Sequence, residues 1–300
     1  MSDVSPREPA DESPPTAGEC AERSDLPRER RSRWDREERT AAAVDAKVER
    51  MGEGPPVVFL HGLLGLNRHW YDAAGRLSSD FECVLIEAPL LELRGRRCSI
   101  EGVQDLIEHE LRTVSEPAVL VGNSLGGHIA LRIALTKPER VRGLVLAGSS
   151  GLFERTFERD VQHRPSHEWI RRKIAELFAD PSRMPEDAVG HAYQELRKRG
   201  SARALVRLSR SAKADHMGGR LSAISAPTLL LWGRQDVVTP PHVAEEFAAL
   251  IPDSRIEWID GCGHAPMLEQ PEALAGGIRR FLYDIEESGA SPGGARQEVA

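Results

Sequence analysis

Short apolar runs bounded by turn residues alternate along this chain with segments whose apolar positions recur every three to four residues. Buried strands are predicted where the runs occur, at residues 57–60, 81–87, 118–121, 144–148, 227–232 and 255–259, with an edge strand within 43–51. Helices are predicted at residues 67–77, from about Ser99 onwards, and at 128–135, 242–250 and 271–283. Because strands and helices alternate, the pattern predicts an α/β fold with a mostly parallel central sheet flanked by helices.

Between residues 151 and 221 the alternation stops and only helical patterns occur. These patterns predict three helices, of which the last two cover residues 185–198 and 202–217. We therefore predict a helical lid, residues 151–221, that is inserted into one core. Residues 41–150 and 222–286 are predicted to form that core.

Both ends of the chain differ from this core in composition. Residues 1–40 are rich in Pro, Glu, Arg, Asp and Ser and contain almost nothing apolar except Leu26 and Trp34. Such a segment cannot bury enough surface to offset the entropy lost on ordering, so we predict a disordered tail. Residues 287–300 return to Ser, Gly and Pro and are predicted to be a second, flexible tail.

Charge and composition narrow the classes of function. The net charge of -7 argues against a nucleic-acid partner, because phosphate binding needs a concentrated basic face and none is expected here. The amino terminus has no apolar signal region, and no run of about 18 apolar residues occurs, so we predict a cytoplasmic protein without a membrane span. The four cysteines lack metal-ligand spacing, which predicts free thiols and no metal site: Cys20, Cys83, Cys98 and Cys262.

The sequence G-N-S-L-G-G at residues 122–127 lies between a predicted strand and a predicted helix. Ser124 therefore stands at a sharp corner, and Gly122 and Gly126, two positions to either side, leave room for its side chain to project. The first turn of the helix also leaves backbone N–H groups unpaired beside the serine, which favours developing negative charge. We interpret the pattern as a nucleophile elbow. The alternative is a glycine-rich turn that only closes a strand.

A second motif, H-G-L-L-G at residues 61–65, directly follows a predicted buried strand. In this arrangement the backbone N–H of Leu63, next to the loop glycine Gly62, can meet that of Leu125 beside the serine. Two donors would then converge on one oxyanion. We interpret His61 as a structural hydrogen-bonding residue rather than a base, because another histidine is better placed for that role.

Candidate partners for the serine follow two later strands. Ser124, Asp236 and His264 occur in the chain order Ser-Asp-His, and each stands in a loop after a predicted strand. Since the carboxyl ends of parallel strands meet at one edge of a sheet, these residues are predicted to form a catalytic triad. A turn-capping role is the alternative for Asp236, and Glu154 and Asp260 are rival acids.

With these motifs in this order, residues 53–284 resemble the α/β-hydrolase superfamily with a helical lid. The resemblance implies that His264 removes the proton from Ser124, that the alkoxide attacks an acyl carbonyl, and that Asp236 orients the imidazole. Water activated by the histidine then releases the acyl group, so no cofactor and no metal are implied. A serine at the elbow argues against haloalkane dehalogenases and epoxide hydrolases, which carry aspartate there.

The loops around the predicted elbow favour an apolar pocket for a small-molecule substrate. Its predicted lining is Leu64, Asn123, Leu152, Phe153 and Ala265, together with Phe157. Such a pocket binds by apolar area, at roughly 0.8 kcal/mol per buried methylene, and discriminates weakly among similar acyl chains. The function predicted is therefore a serine hydrolase that cleaves carboxylic esters of small to medium acyl groups.

Three alternatives stay open. Carbon-carbon bond hydrolases that act on meta-cleavage products share G-N-S-x-G-G, but they resemble one another in a Trp directly after the triad histidine and in a lid arginine. This chain has Ala265 and Tyr193 at those places. Cofactor-free perhydrolases and acyltransferases share the triad and differ in what attacks the acyl-enzyme. A non-catalytic ligand-binding module, from a different class, is opposed by the intact triad. The oligomeric state is not predicted.

Overall fold

A computed structural model describes residues 45–155 and 165–288. The predicted tail at 1–40, nearly all of the one at 287–300, and Phe157 lie outside them. One sheet is built from the described strands: β1 Lys47–Met51, β2 Pro56–Leu60, β3 Glu82–Glu87, β4 Ala118–Asn123, β5 Val141–Ala147, β6 Thr228–Gly233 and β7 Ser254–Ile259.

The strands lie in the order β1-β3-β2-β4-β5-β6-β7. Only β1 is antiparallel, and it pairs with β3 at the edge of the sheet, while every other neighbouring pair is parallel. The predicted α/β fold with a mostly parallel sheet is therefore confirmed. Since parallel strands point the same way, the loops after β2, β4, β6 and β7 open at one edge of the sheet.

Helices flank both faces of this sheet, and further helices lie between β5 and β6 along the chain. Their bounds are α1 Tyr71–Leu77, α2 Ile100–Leu111, α3 Leu125–Thr136, α4 His167–Ala175, α5 Ala188–Arg197, α6 Ser201–Ala214, α7 Pro241–Leu250, α8 Pro266–Glu269 and α9 Pro271–Glu287. The helix predicted at 67–77 begins as a 3-10 turn at Asn67–Trp70. The helix predicted over 202–217 ends at Ala214, because the chain leaves helical geometry at Asp215 (ψ 60°).

Alternating side chains of the strands divide the core into two apolar layers. Val58 and Leu120 belong to one layer, which contains residues of α2, α3 and α7, whereas Val57 and Val119 belong to the other, with α1 and α9. A sheet buried on both faces explains why its strands read as continuous apolar runs rather than as alternating patterns. The loops after the strands lie at the carboxyl-terminal edge of the sheet, where α/β folds usually bind ligands.

The described part of the predicted lid consists of α4, α5 and α6. A small apolar cluster joins α4 and α5 to the loop after β3; its members are Leu91, Ile170, Val189, Ala192 and Leu196. Helix α6 instead buries Ala204, Leu208 and Ala212 in the core layer that contains α3. Polar contacts attach it to α3 at one end, where Asp215 accepts from His128 (3.1 Å), from Arg132 and from Arg220 (2.7 Å). In the predicted lid, α6 is therefore part of the core packing, whereas α4 and α5 rest mainly on the smaller cluster.

Candidate active site

Ser124 joins β4 to α3 in a backbone conformation that side chains rarely adopt. Its φ is 52° and its ψ is -119°, and among the described residues it is the only non-glycine with positive φ. Strain of this kind costs on the order of 1–3 kcal/mol and persists where neighbours over-determine the turn. Here the Ser124 N–H donates to the Gly148 carbonyl (3.2 Å), and the Ser124 carbonyl accepts from His128 and Ser150 (both 3.1 Å).

Glycines around the serine have no space for a side chain. A Cβ on Gly126 would overlap the carbonyl oxygen of Leu60, and one on Gly122 would lie 2.5 Å from the backbone of Gly126. A Cβ on Gly62 would lie 3.2 Å from the Ser124 Cβ. The glycines therefore let β2, the loop after it and α3 close around Ser124.

Asp236 and His264 form a buried hydrogen-bonded pair at the same edge of the sheet. His264 Nδ1 lies 2.8 Å from Asp236 Oδ2. The other carboxylate oxygen accepts from the backbone N–H groups of Val238 (2.8 Å) and Thr239 (2.9 Å), and the Thr239 hydroxyl donates to Oδ2 (2.8 Å). A Cβ on Gly148 would lie 3.0 Å from both members of the pair, so this glycine leaves them room.

Burial and pairing act in opposite directions on this pair. Burial lowers the pKa of His264, but the charge and hydrogen bond of Asp236 outweigh it, so the pKa of His264 is raised. Burial raises the pKa of Asp236, but His264 and Thr239 outweigh it, so the pKa of Asp236 is lowered. The pair therefore favours a charged carboxylate that stabilises the imidazolium form of its partner.

The two rival acids take other places. Asp260 is exposed, with 84% of its side chain accessible, and it pairs with Arg234 at 2.7 Å. Glu154 lines the cavity described below and contributes only a minor charge effect, which raises the pKa of His264. Neither acid has a described hydrogen bond to the imidazole, whereas Asp236 does.

His61 connects two loops beside the serine. Its Nε2 accepts from the backbone N–H of Ala88 (3.0 Å), so the proton resides on Nδ1, which donates to the carbonyl of Gly62 (2.7 Å). Burial lowers the pKa of His61, which keeps the ring neutral. With both nitrogens engaged, His61 fixes the loop that carries Leu63, and the structural interpretation fits these contacts.

Asn123 makes contacts that its predicted place in the pocket did not suggest. Its side-chain amide donates to the carbonyl of Ala147 (2.8 Å) and to that of His264 (2.9 Å). The residue before Ser124 therefore holds the backbone of the loop that carries His264. Thr239 was missed altogether by the sequence analysis, although an acid followed three residues later by Thr is a usual pattern for a side chain that caps its own turn.

A cavity of about 510 Å³ opens over Ser124 and His264. Its volume suits a small organic ligand. Apolar side chains of α4, α6 and the surrounding loops form much of its wall: Leu63, Leu91, Trp169, Ile170, Ile174, Leu177, Phe178 and Val206. Charged groups of both signs also line it, among them Arg68, Glu87, Glu154, Lys173 and Glu195.

The predicted pocket residues divide into two groups. Leu64, Asn123 and Ala265 line this cavity. Leu152 is instead buried in the core layer that contains α3, and the ring of Phe153 lies 5.9 Å from that of His242; neither is part of the described lining. The chain after β5 thus carries Leu152 and Phe153 away from the cavity before Glu154 and Arg155 reach its lining, a course that no periodic pattern reveals.

Two further features are absent from residues 45–155 and 165–288. No three His, Cys, Asp or Glu side chains are grouped there as a set of metal ligands. No described helix combines the length and the apolar character needed to cross a bilayer.

Comparisons with known proteins place this geometry in a family. Residues 57–276 match the model of the alpha/beta hydrolase family. A pimeloyl-[acyl-carrier protein] methyl ester esterase from Nitrosospira multiformis is 26% identical over 268 residues, which cover 79% of this chain and 98% of the relative. A 2-hydroxymuconate semialdehyde hydrolase from Pseudomonas putida is 27% identical over 82% of this chain and 93% of its own.

A solved structure agrees in fold. The alpha/beta hydrolase MGS-MChE2, from a metagenome of lagoon sediments at Mar Chica in Morocco, superposes with a TM-score of 0.66 at 28% identity. The match covers 82% of this chain and 98% of that one. The resemblance predicted from the motifs is confirmed.

Proposed function

This chain belongs to the alpha/beta hydrolase family, and on that premise we propose that it is a serine hydrolase that cleaves carboxylic esters of small to medium acyl groups. One observation supports this most strongly: the buried Asp236–His264 pair and the strained Ser124 meet at the same cavity. The proposal includes a small-molecule substrate, no organic cofactor or metal, no nucleic-acid partner and a cytoplasmic location.

The proposed reaction has two steps. His264 takes the proton of Ser124 Oγ as the oxygen attacks the ester carbonyl, and Asp236 stabilises the imidazolium that forms. The backbone N–H groups of Leu63 and Leu125 are proposed to hold the oxyanion, the second of them at the first turn of α3. The imidazolium then protonates the leaving alcohol. In the second step the neutral imidazole activates a water that hydrolyses the acyl-enzyme.

Carbon-carbon bond hydrolysis, suggested by the Pseudomonas putida relative, is the alternative on the same residues. A ring-fission dienoate needs a fixed cation for its carboxylate. Arg68 and Lys173 line the cavity, but each is already paired with an acid, Arg68 with Asp187 (2.6 Å) and Lys173 with Glu176 (3.1 Å). Tyr193, which the resemblance aligns with the lid arginine of such hydrolases, packs against His167 with ring centroids 3.8 Å apart and lies outside the described cavity lining. We therefore expect esters to be the better substrates.

Specificity constants for p-nitrophenyl butyrate and for a ring-fission dienoate, measured on one preparation, test this choice. A series of p-nitrophenyl esters of increasing acyl length would then locate the preferred size. A clear preference for the dienoate would replace the ester proposal with carbon-carbon cleavage.

A basic face on α6 favours a second candidate, a methyl ester of an acyl group attached to an acyl-carrier protein. Residues 197–213 contain seven basic side chains and no acidic one. Arg203, Arg207 and Arg210 share one side of the helix at helical spacing, while Val206 and Ser209 of the same helix line the cavity. No concentrated basic face was expected from the net charge of -7, because the overall charge conceals this local one.

This candidate predicts that carrier attachment improves the substrate. kcat/KM for a carrier-linked methyl ester should exceed that of the free methyl ester and should fall steeply with salt. The double variant Arg203→Glu and Arg210→Glu should remove the difference, whereas Arg112→Glu with Lys137→Glu, also exposed cations, should retain it. Equal kcat/KM values for the two esters would exclude carrier recognition.

A further inference from the structure

Glu269, the last residue of α8, is a buried acid that plays no part in the proposed reaction. Its exposed fraction is 1%. Its carboxylate accepts three backbone N–H groups, from Gly263 (2.7 Å) and Ala179 (3.1 Å) at Oε2 and from Asp180 (2.7 Å) at Oε1. Three donors of this kind are what a buried carboxylate needs when no cation neutralises it. Among the described residues no Lys or Arg side chain forms an ion pair with this carboxylate.

These three donors come from two separate segments of the chain. Gly263 directly precedes the proposed base, His264, in the loop after β7. Ala179 and Asp180 belong to the lid, in the turn that follows α4. One carboxylate therefore joins the histidine loop to the lid.

Direct contacts between the two segments reinforce this connection. The backbone N–H of His264 donates to the carbonyl of Leu177 (2.7 Å), and a Cβ on Gly263 would lie 2.6 Å from the same oxygen. Leu177 and Phe178, the residues just before Ala179, line the cavity. A displacement of this wall would therefore pull on the backbone that carries the imidazole.

We propose that Glu269 is a positioning residue that couples the lid wall at 177–180 to the catalytic histidine. This proposal rests on the proposed function, since it assigns His264 as the base. The carboxylate fixes both segments at once, so that the cavity wall and the imidazole keep their places relative to Asp236. A substrate that displaces this wall would therefore also displace the imidazole of His264.

Glu269→Gln tests the coupling, because glutamine has nearly the same shape but turns one acceptor into an NH2 group that faces backbone N–H donors. We expect kcat/KM for p-nitrophenyl butyrate to fall by roughly 10- to 100-fold in folded protein, mainly through kcat. The acid limb of the pH profile should move to lower pH, since a displaced imidazole loses part of the Asp236 contact that raises its pKa. Glu272→Gln, three residues on and exposed, is the matched control and should behave as wild type.

Amide hydrogen exchange gives a readout that loss of the carboxylate's own hydrogen bonds would not move: the amide of His264, which donates to Leu177 and not to Glu269, should exchange faster in Glu269→Gln. In Glu269→Gln the amides of Ala179 and Asp180 in the lid and that of Gly263 beside the base should all exchange faster. Faster exchange at Gly263 alone, or an unchanged kcat and pH limb in the folded variant, would overturn the coupling. If Glu269→Gln fails to fold, Glu269→Asp decides the same question, because it keeps the charge and withdraws the carboxylate by one methylene.

Failure of the proposed function would look different. An inactive wild-type protein would refute the esterase proposal, and the exchange measurement would still report whether Glu269 joins the two segments. An active wild type whose Glu269→Gln and Glu269→Asp variants match it in kcat, pH limb and exchange would refute the coupling alone.

Discussion

The sheet around Ser124 and the lid above it are held together in different ways. At the elbow, Gly122, Gly126 and Gly62 let three backbone segments touch, and the strands below lie in two apolar layers. In the predicted lid, α4 and α5 share one small apolar cluster, α6 packs into the core layer that contains α3, and polar contacts at Asp215 and Glu269 are added. Close-packed backbone at the elbow tolerates almost no change, whereas α4 and α5, which rest on the smaller apolar cluster, have more freedom to shift.

This difference assigns separate tasks to the two regions. Changes in the sheet edge should affect every substrate and mostly kcat, because they touch the reacting groups. Changes in the lid should depend on the substrate, because its side chains form the cavity wall.

Asp236→Asn should lower kcat/KM for every ester by about 10 000-fold, since the neutral amide cannot stabilise the imidazolium. The pH-rate profile shows in which direction Asp236 changes the pKa of His264. Activity requires neutral His264, and Asp236 raises the pKa of that residue, so wild-type activity falls as the pH drops through this raised value. In the variant the residual activity should persist to lower pH.

Asp260→Asn is the control for that experiment, because the exposed Asp260 pairs with Arg234 outside the site. Its pH-rate profile should match wild type. If both variants lost activity equally, Asp236 would lose its proposed role.

Gly126→Ala and Gly190→Ala make the same change in the two regions. A Cβ on Gly126 would overlap the Leu60 carbonyl, so we expect a loss of about 3 kcal/mol or more in stability together with loss of activity. Gly190 lies in α5 with no neighbour within 4 Å of an added Cβ, so alanine should stabilise the lid helix by roughly 0.5–1 kcal/mol. Thermal unfolding measures both. Equal effects would contradict the proposed difference between the regions.

Asp215→Asn should weaken the attachment of the lid to α3. Removing the charge leaves the Arg132 and His128 contacts weakened, which we expect to cost about 2 kcal/mol, or roughly 4–8 °C in Tm. kcat/KM for p-nitrophenyl butyrate should change less than tenfold, with larger effects on longer esters. Asp187→Asn, which breaks an exposed pair with Arg68 at 2.6 Å, should change stability by less than about 1 kcal/mol.

The pH dependence of that loss follows from the pKa of Asp215, which its contacts with His128, Arg132 and Arg220 lower despite burial. The stabilisation is present above the ordinary carboxyl pKa of 3.8 and is lost as the pH falls below it toward the lowered folded value. The Tm difference between wild type and Asp215→Asn should therefore stay constant near neutral pH and shrink below about pH 4. A difference that grew on acidification would refute the assignment.

The sheet and the predicted lid also differ in how far the sequence predicts them. The sheet and the elbow were predictable, because apolar runs and glycines at fixed offsets reflect local backbone geometry. The attachment of Asp215 to His128 and of Glu269 to Ala179 spans 87 and 90 residues along the chain, and no periodic pattern encodes such contacts. The direction of the chain after β5, which removes Leu152 and Phe153 from the cavity lining, was equally hidden.

The central claim, that Ser124 is an activated nucleophile, is tested most directly by a fluorophosphonate probe followed by mass spectrometry of the labelled peptide. The account predicts one equivalent of label on Ser124, none on Ser124→Ala that remains folded, and slow labelling of Asp236→Asn. A folded wild-type protein that refuses the probe, or a label on another serine that persists in Ser124→Ala, would contradict the account and favour a non-catalytic ligand-binding module on the same fold.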